Sequence, residues 1–289
     1  MTAVLSSIDR GTSLMCELLG MSSSRATTVN LSLMELARHG GFSAPHRDGW
    51  GVAYYEGTDI RLIKEAEAAA DSDWVRFIGE HRLRSHIVMA QVRHATIGER
   101  AYRNTQPFMR ELGGHMHLFA HNGDLPALKD TPEFTPQRFH PLGETDSEQA
   151  FCTLLDRLAE LWQRPGEIPP IESRMACVVQ FAERLRRLGP ANFLYADGDA
   201  LFAHGDRRKQ AASGRVEAPG LRYLARRCRA NEPALETSGV SIAGNDRHVM
   251  ILASVPLNDD AWQAMAEGEV VAVCGGRVHL RSPSLPGTS

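Results

Sequence analysis

Cys16 is the first residue whose position could support chemistry, because it directly follows a methionine at the head of an apolar run, CELLGM. A cysteine in such a run is most often a small buried hydrophobic residue. Removal of the residues before it, however, would leave Cys16 with a free α-amine, whose ordinary pKa is about 7.7 to 8.0. One residue would then carry both a nucleophilic thiol and a base, as in N-terminal nucleophile catalysis.

A second candidate is the pair Asn122 and Gly123, which ends the run HMHLFAHNG. Asn-Gly is typical of a plain turn. The Asn side-chain amide and the Gly N–H could also converge on one oxygen and form an oxyanion hole. In the same run His115, His117 and His121 have one parity, so on a strand they would share a face and could bind a metal ion. No further Cys or carboxylate spacing completes such a metal site.

Two charged residues complete the set of candidates. Arg93 ends an apolar run, where it is either an ordinary solvated residue or a planar fork that holds a carboxylate in two parallel bonds. Asp146, in GETDSE, is favoured by the helix dipole in a first helical turn and could equally bind an ammonium group. A thiol, an oxyanion hole, a cation and an anion together describe a site for an α-amino acid with an electrophilic side-chain carbonyl.

These residues must be positioned by strands and helices that alternate along the chain. The apolar run that begins at Cys16 has the pattern of a buried strand. GWGVAYYEG and DIRLIKEA predict a hairpin, and HIVMAQVRHAT and HMHLFAHNG predict further strands. Helical spacing is found in residues 31–41, in DSDWVRFIGEHRL and from Thr145 through the LAELW segment. A further helix is predicted after the Pro-rich GEIPPIE, up to about Leu188. The sequence TDSE predicts a capping box in which Thr145 accepts an N–H and Glu148 reaches back. Two sheets with helices outside them would use these elements well.

Composition limits the class of protein. The 289 residues carry a formal charge of −3 and are 43% hydrophobic, which indicates a globular chain with a large core. Near-balanced charge argues against a nucleic-acid partner, and no run approaches the roughly 18 apolar residues of a membrane span. The first fifteen residues lack the hydrophobic centre of a secretory signal, and the five scattered cysteines form no CxxC motif. We therefore expect a cytoplasmic protein.

The motifs taken in order carry a family resemblance. MCELLGM, DGWGVA, VRHAT, AHNGDL and TDSE resemble, in this order, the class II (N-terminal nucleophile) glutamine amidotransferases over roughly residues 16–282. The similar branch is the stand-alone, YafJ-like group, to which the amidohydrolase of ergothioneine synthesis is related. The resemblance implies an α+β fold, the four-layer αββα sandwich of the N-terminal nucleophile hydrolases. Residues 1–15 would be a leader, a mis-called start or a propeptide, and residues 283–289 a flexible tail.

The resemblance also implies catalytic roles. Cys16 matches the nucleophile, and its free α-amine, exposed once residues 1–15 are absent, matches the base. Asn122 and Gly123 match the oxyanion hole. No metal or organic cofactor is implied.

The substrate pocket is implied in the same way. Arg93 matches the residue that holds the α-carboxylate of glutamine, with Thr96 nearby in the same pocket loop, and Asp146 matches the one that holds the α-amino group. Ile97 stands where several relatives have a histidine. A further motif, to which we assign an architectural role, consists of Gly49, Trp50 and Gly51.

The expected reaction is hydrolysis of the γ-carboxamide of glutamine through a γ-glutamyl thioester on Cys16, with release of ammonia and glutamate. One alternative is hydrolysis of another γ-glutamyl amide in the same pocket, and another is a non-catalytic glutamine-binding or scaffold module. The sequence contains no GxxxxGK[ST] loop and no GxGxxG after a strand. We therefore expect that any synthetic role requires a separate ammonia-accepting synthase.

Overall fold

Two large antiparallel sheets dominate the computed structural model, which describes residues 16–28, 36, 48–81, 83–94, 98–228, 235–237, 240–242 and 246–283. The strands are β1 (Glu17–Thr28), β2 (Trp50–Glu56), β3 (Asp59–Glu65), β4 (Arg84–Val92), β5 (Phe108–Leu112), β6 (His115–Gly123), β7 (Ala191–Ala196), β8 (Leu201–Gly205), β9 (Arg208–Lys209), β10 (Val216–Glu217), β11 (Arg222–Cys228), β12 (Leu235–Thr237), β13 (Val240–Ile242), β14 (Arg247–Ala253), β15 (Gln263–Ala264), β16 (Glu269–Cys274) and β17 (Arg277–Arg281). The seven-stranded sheet has the order β15-β11-β14-β1-β4-β2-β3, and the six-stranded sheet has the order β17-β16-β8-β7-β6-β5.

The α-helices of the described residues are α1 (Asp73–Glu80), α2 (Asp146–Leu158) and α3 (Ile171–Leu185). Ser72 caps α1 by accepting hydrogen bonds from the backbone N–H groups of Trp74 and Val75. None of these helices is long and apolar enough to cross a membrane.

Three apolar clusters define the layers. One lies between the two sheets and contains Leu18, Met89 and Leu194. A second covers the outer face of the six-stranded sheet with α2 and α3, and a third covers the outer face of the seven-stranded sheet with α1. The architecture is therefore the expected four-layer αββα sandwich, because each sheet buries one face against the other sheet and one against helices.

The alternation of side chains along the strands determines which residues reach the space between the sheets. On β1, Leu18 faces the other sheet whereas Leu19 faces the outer cluster. Cys16, two residues before Leu18, has the inward parity. β1 is the central strand of its sheet, with Leu18 opposite Gln91 on one side and Leu19 opposite Ala253 on the other.

The helix predictions are right in position but not in every boundary or contact. The Thr145 side chain accepts the N–H of Glu148 at 3.2 Å, as the capping box requires. The second half of that prediction is wrong, because the Glu148 carboxylate is engaged by Arg110 at 2.6 Å and by the N–H of Gly143 at 2.7 Å. An ion pair from a neighbouring strand replaces the local contact.

Two predicted helices end earlier than expected. Helix α2 ends at Leu158 rather than continuing to Trp162. Helix α3 ends at Leu185 rather than near residue 188. In the helix predicted over residues 31–41, Leu36 is helical and buried, and the rest lies outside the described residues. The predicted leader, residues 1–15, and all but the first residue of the predicted tail also lie outside them.

Candidate active site

The Cys16 thiol lies at the head of the central strand, half-buried against the end of β4. Its sulfur accepts the N–H of His94 at 3.2 Å and lies 3.3 Å from the carbonyl oxygen of the same residue. Burial raises the pKa of the Cys16 thiol, and the hydrogen bond from His94 followed by the charge of Arg93 offsets part of that rise. The resting thiol is therefore protonated near neutral pH and needs a base before it can act as a nucleophile.

Asn122 reaches Cys16 from the opposite sheet. On β6 the inward positions are occupied by Leu118 and Ala120, and Asn122 continues this parity at the strand end. Its side-chain N–H₂ donates to the carbonyl oxygen of Cys16 and, at 3.3 Å, to the hydroxyl of Ser254. An amide donor that is 1% exposed therefore lies beside the thiol-bearing residue.

Gly123 follows at a point where no side chain fits. A Cβ atom at this position would collide with the carbonyl oxygen of Pro190 and would lie 2.9 Å from Nε2 of His121. The glycine thus allows close packing between β6 and the residues before β7. Any function of its N–H comes in addition to this steric requirement.

Arg93 continues the ladder between β2 and β4 and is itself buried. Its N–H donates to the carbonyl of Gly49 at 2.8 Å, and its guanidinium donates to the carbonyls of Asp48, Gly98 and Glu99 at 3.3 to 3.4 Å. The side chain is 3% exposed, so the interpretation as an ordinary solvated residue is wrong. Burial lowers the pKa of Arg93, yet a guanidinium remains charged at neutral pH.

Asp146 is the first residue of α2, and its carboxylate is oriented by local donors. Oδ2 accepts the N–H of Leu125 at 2.8 Å, and Oδ1 accepts the N–H and the hydroxyl of Ser147 at 2.7 and 3.2 Å. His121 Nδ1 lies 2.9 Å from the Ser147 hydroxyl oxygen, and burial lowers the pKa of His121, so this imidazole is neutral. The negative charge of Asp146 acts on the Cys16 thiol by raising its pKa, opposite to the effect of Arg93.

The glycines of the Gly-Trp-Gly motif accommodate a second segment of chain. A Cβ on Gly51 would collide with the carbonyl oxygen of Gln106, and a Cβ on Gly49, whose φ is +141°, would lie 2.9 Å from the Thr105 hydroxyl. Between them the Trp50 indole donates to Glu65 at 3.0 Å. The motif therefore packs the start of β2 against residues 105–106, and the Gln106 side chain in turn accepts the N–H of His121 at 2.6 Å.

The family model of the class II glutamine amidotransferases matches residues 15–286 of the sequence, nearly the whole chain. The chain belongs to this family. YafJ of Escherichia coli strain K12, provisionally named a glutamine amidotransferase, is 34% identical over 269 residues, which cover 91% of this chain and 98% of YafJ.

Solved structures agree with the family assignment. A predicted glutamine amidotransferase from Pseudomonas aeruginosa superposes with a TM-score of 0.65 at 32% identity, covering 92% of this chain and 100% of that chain. The glutamine phosphoribosylpyrophosphate amidotransferase of Bacillus subtilis superposes with a TM-score of 0.56 at 15% identity, covering 92% of this chain and 49% of that chain. The similarity to the Bacillus subtilis enzyme shows a shared fold.

Five of the six site residues predicted for this class II glutamine amidotransferase lie in one region. Asn122 contacts the backbone of Cys16, and the charges of Arg93 and Asp146 shift the pKa of its thiol in opposite directions. Gly123 adjoins Asn122. The predicted pocket residue Thr96 lies outside the described residues, as does Ile97.

The histidines of β6 share one face, as their parity predicts, but they do not converge on a metal site. His117 contacts the Tyr195 hydroxyl at 2.7 Å and the Leu112 carbonyl at 3.1 Å, whereas His121 contacts Ser147. Among the described residues no group of three or more His, Cys, Asp or Glu side chains is arranged to hold a metal ion.

Sequence reasoning missed two residues that support the site. Ser254, which follows β14 with inward parity, accepts the Leu18 N–H at 3.0 Å in addition to the Asn122 amide. Arg208 is 3% exposed and donates to the Ser254 carbonyl at 2.8 Å. A serine at the end of an apolar strand and an arginine in GDRRK look like ordinary surface residues, so no local pattern distinguishes them.

Proposed function

We propose that this protein hydrolyses the γ-carboxamide of glutamine through a γ-glutamyl thioester on Cys16 and releases ammonia and glutamate. The observation that supports the proposal is the position of the Asn122 amide beside Cys16, whose thiol is also acted on by the buried Arg93 guanidinium and the Asp146 carboxylate. In this pocket Arg93, with Thr96 nearby, holds the α-carboxylate of glutamine, and Asp146 holds its α-ammonium group. The side-chain amide of the bound glutamine is then directed at the Cys16 thiol.

In the first half of the proposed reaction the Cys16 sulfur attacks the γ-carbonyl carbon. The carbonyl oxygen becomes an anion that accepts hydrogen bonds from the Asn122 side chain and the Gly123 N–H. The α-amine of Cys16 takes the thiol proton and delivers it to the nitrogen of the carboxamide. The carbon–nitrogen bond then breaks, ammonia leaves, and the thioester remains.

In the second half, water attacks the thioester carbon while the same amine accepts one of its protons. The carbon–sulfur bond breaks, glutamate leaves, and the proton returns to the sulfur. Each atom and proton is accounted for by glutamine, water and Cys16, so the scheme uses no cofactor.

The proposed base requires a free amine on Cys16. We therefore propose that the functional chain begins at Cys16 and that residues 16–282 form the amidotransferase domain. Intact-mass measurement of the active protein should give a chain without residues 1–15. An active protein that retains these residues would contradict the proposal.

All five cysteines have free thiols, which supports a location in a reducing compartment such as the cytoplasm. We further propose that a synthetic role would depend on a separate ammonia-accepting synthase. The isolated protein should release glutamate and ammonia in equal amounts without nucleotide, and ATP should leave the rate unchanged. An absolute requirement for ATP would contradict this.

The decisive experiment compares the mature protein with Cys16→Ala. A glutamine analogue with an electrophilic side chain should label the mature protein at Cys16, and glutamine should be hydrolysed only when the thiol is present. Faster turnover of γ-glutamyl amides with larger leaving groups would identify the reaction as hydrolysis of those amides. Absence of both labelling and turnover would indicate a binding module.

A further inference from the structure

Asn104 is a polar side chain that is completely buried close to the candidate pocket. It ends a short 3-10 turn, Tyr102–Asn104, and its relative exposure is 0%. Burying a primary amide is costly unless both its oxygen and its nitrogen are hydrogen-bonded. The partners of Asn104 therefore show which segments it holds.

The Asn104 amide connects two segments that approach the pocket from different directions. Its Oδ1 accepts the N–H of Glu144 at 3.0 Å. Its Nδ2 donates to the carbonyl of Glu99 at 3.0 Å and to the carboxylate of Glu144 at 2.5 Å. These bonds use the oxygen and both hydrogens of the amide.

Each segment is connected to one of the charged residues of the pocket. The carbonyl of Glu99 that accepts from Asn104 also accepts from the Arg93 guanidinium, at 3.3 Å. Glu144 lies two residues before Asp146, directly ahead of the residue that caps α2. The Asn104 side chain thus connects the carbonyl that supports the Arg93 guanidinium to the residues that lead into Asp146.

Glycines on both segments make room for this amide. A Cβ on Gly143 would collide with Oδ1 of Asn104, and a Cβ on Gly98, whose φ is +78°, would lie 3.0 Å from its Nδ2. The close packing on both sides fixes the distance between the two segments more tightly than a surface contact could.

We infer that Asn104 is a positioning residue that sets the separation between Arg93 and Asp146 and thereby selects ligands bearing both an α-carboxylate and an α-ammonium group. The inference rests on the proposed roles of these two residues in glutamine binding. Asn104 itself lies behind the pocket and acts through the backbone of Glu99 and of Glu144.

Arg103 provides a matched control because it connects the same two segments from the surface. Its guanidinium pairs with the carboxylates of Glu99 and, at 2.9 Å, of Glu144, but all three side chains are 44% to 62% exposed. Exposed ion pairs of this kind contribute little to stability. Loss of Arg103 should therefore leave the pocket geometry nearly unchanged.

The test compares Asn104→Ala and Arg103→Ala with the mature wild-type protein on three substrates. These are L-glutamine, glutaramate, which lacks the α-amino group, and 4-aminobutanamide, which lacks the α-carboxylate. Asn104→Ala should lower kcat/KM for L-glutamine by about tenfold or more, since small misplacements of binding groups are costly. It should lower kcat/KM for the two analogues much less, so that the preference for L-glutamine falls. Arg103→Ala should retain the wild-type preference.

An equal loss on all three substrates, or an unchanged preference, would overturn the inference. If Asn104→Ala does not fold, Glu144→Gln serves instead. It neutralises the carboxylate that accepts from both Asn104 and Arg103, and Arg103→Ala removes the second contact alone, so a loss of preference in Glu144→Gln beyond that in Arg103→Ala reports on the Asn104 contact. An unchanged preference in Glu144→Gln would likewise overturn the inference.

A parallel measurement separates this inference from the proposed function. Calorimetric affinities for L-glutamine and glutaramate are measured in the Cys16→Ala background, with and without Asn104→Ala. If the wild-type protein fails to hydrolyse glutamine, the proposed reaction is wrong. The change in relative affinity caused by Asn104→Ala still decides the role of Asn104.

Discussion

Asn122→Ala tests the proposed oxyanion hole most directly, because the structure also offers a competing role for the same amide. In the resting structure the Asn122 side chain donates to the carbonyl of Cys16 and to the Ser254 hydroxyl. It could therefore stabilise the oxyanion of the transition state, or it could only hold the nucleophile in place. The two roles predict different kinetic effects.

The magnitude of the first effect follows from the environment of the amide. Asn122 is 1% exposed, so water cannot replace its N–H₂ as a donor. Loss of one buried oxyanion donor costs on the order of 3 kcal/mol in the transition state, or roughly a hundredfold or more in kcat. The free energy of unfolding should fall by only about 1 to 3 kcal/mol, the usual cost of leaving a buried polar group without its partner.

The assay measures glutamate release and, separately, alkylation of the Cys16 thiol by iodoacetamide. Displacement of iodide at a saturated carbon forms no oxyanion, so alkylation of the Asn122→Ala protein should proceed within about twofold of the wild-type rate. Ser254→Ala is the matched control, because it leaves the Asn122 donor in place and removes only the hydroxyl that accepts from this amide and from the Leu18 N–H. Its kcat should stay close to that of the wild-type protein.

Two results would refute this reasoning. If kcat of Asn122→Ala falls by less than about tenfold, the amide contributes little to the transition state. If alkylation slows in parallel with turnover, Asn122 acts by positioning Cys16, and the oxyanion must be stabilised elsewhere.

Three further predictions follow from other contacts. Ser147→Ala removes the hydroxyl that donates to the Asp146 carboxylate, which is proposed to hold the ammonium group, and keeps the backbone N–H donor. We expect a several-fold lower kcat/KM for glutamine with little change for glutaramate, and an equal change for both would contradict this prediction. Burial lowers the pKa of His117 and of His204 to about 4, so their contribution to stability is complete above about pH 6.5 and is lost as the pH falls towards 4, by about 3 kcal/mol each. Urea unfolding should therefore show decreasing stability from about pH 7 to 5, with a smaller decrease in His204→Gln; a flat profile would contradict it. Gly51→Ala should be strongly destabilising because its Cβ would collide with the Gln106 carbonyl, and a melting temperature close to wild type would contradict the architectural role.

The strands and helices were largely predictable because their periodicity is local. The hairpin of β2 and β3 and the amphipathic helix α1 follow from spacing within ten to fifteen residues. Their boundaries and contacts were less predictable. The Glu148 carboxylate binds Arg110 at 2.6 Å, and no local pattern indicates that a strand 38 residues earlier supplies the partner.

The candidate site depends on contacts that the chain makes over long distances. Cys16 and Asn122 meet across two sheets, 106 residues apart, and sheet order cannot be read from one sequence by periodicity. The order of the motifs, through the family resemblance, predicted which residues belong to one site, and spacing alone could not. Asn104 and Ser254, which support the site through hydrogen bonds, were not predicted, because in the sequence a buried amide and a buried hydroxyl look like ordinary loop residues.

The central position of β1 has a consequence for hydrogen exchange. Residues Leu19 to Ser22 pair with β14 on one side and β4 on the other, so freeing this strand means opening both neighbouring ladders of the seven-stranded sheet. Amides in such a strand exchange only through openings whose free energy approaches that of global unfolding. The part of β1 that follows Cys16 should therefore be among the slowest-exchanging parts of the chain. Displacement of Cys16 by local unfolding would then be rare, and oxidation of its thiol would proceed from the folded state.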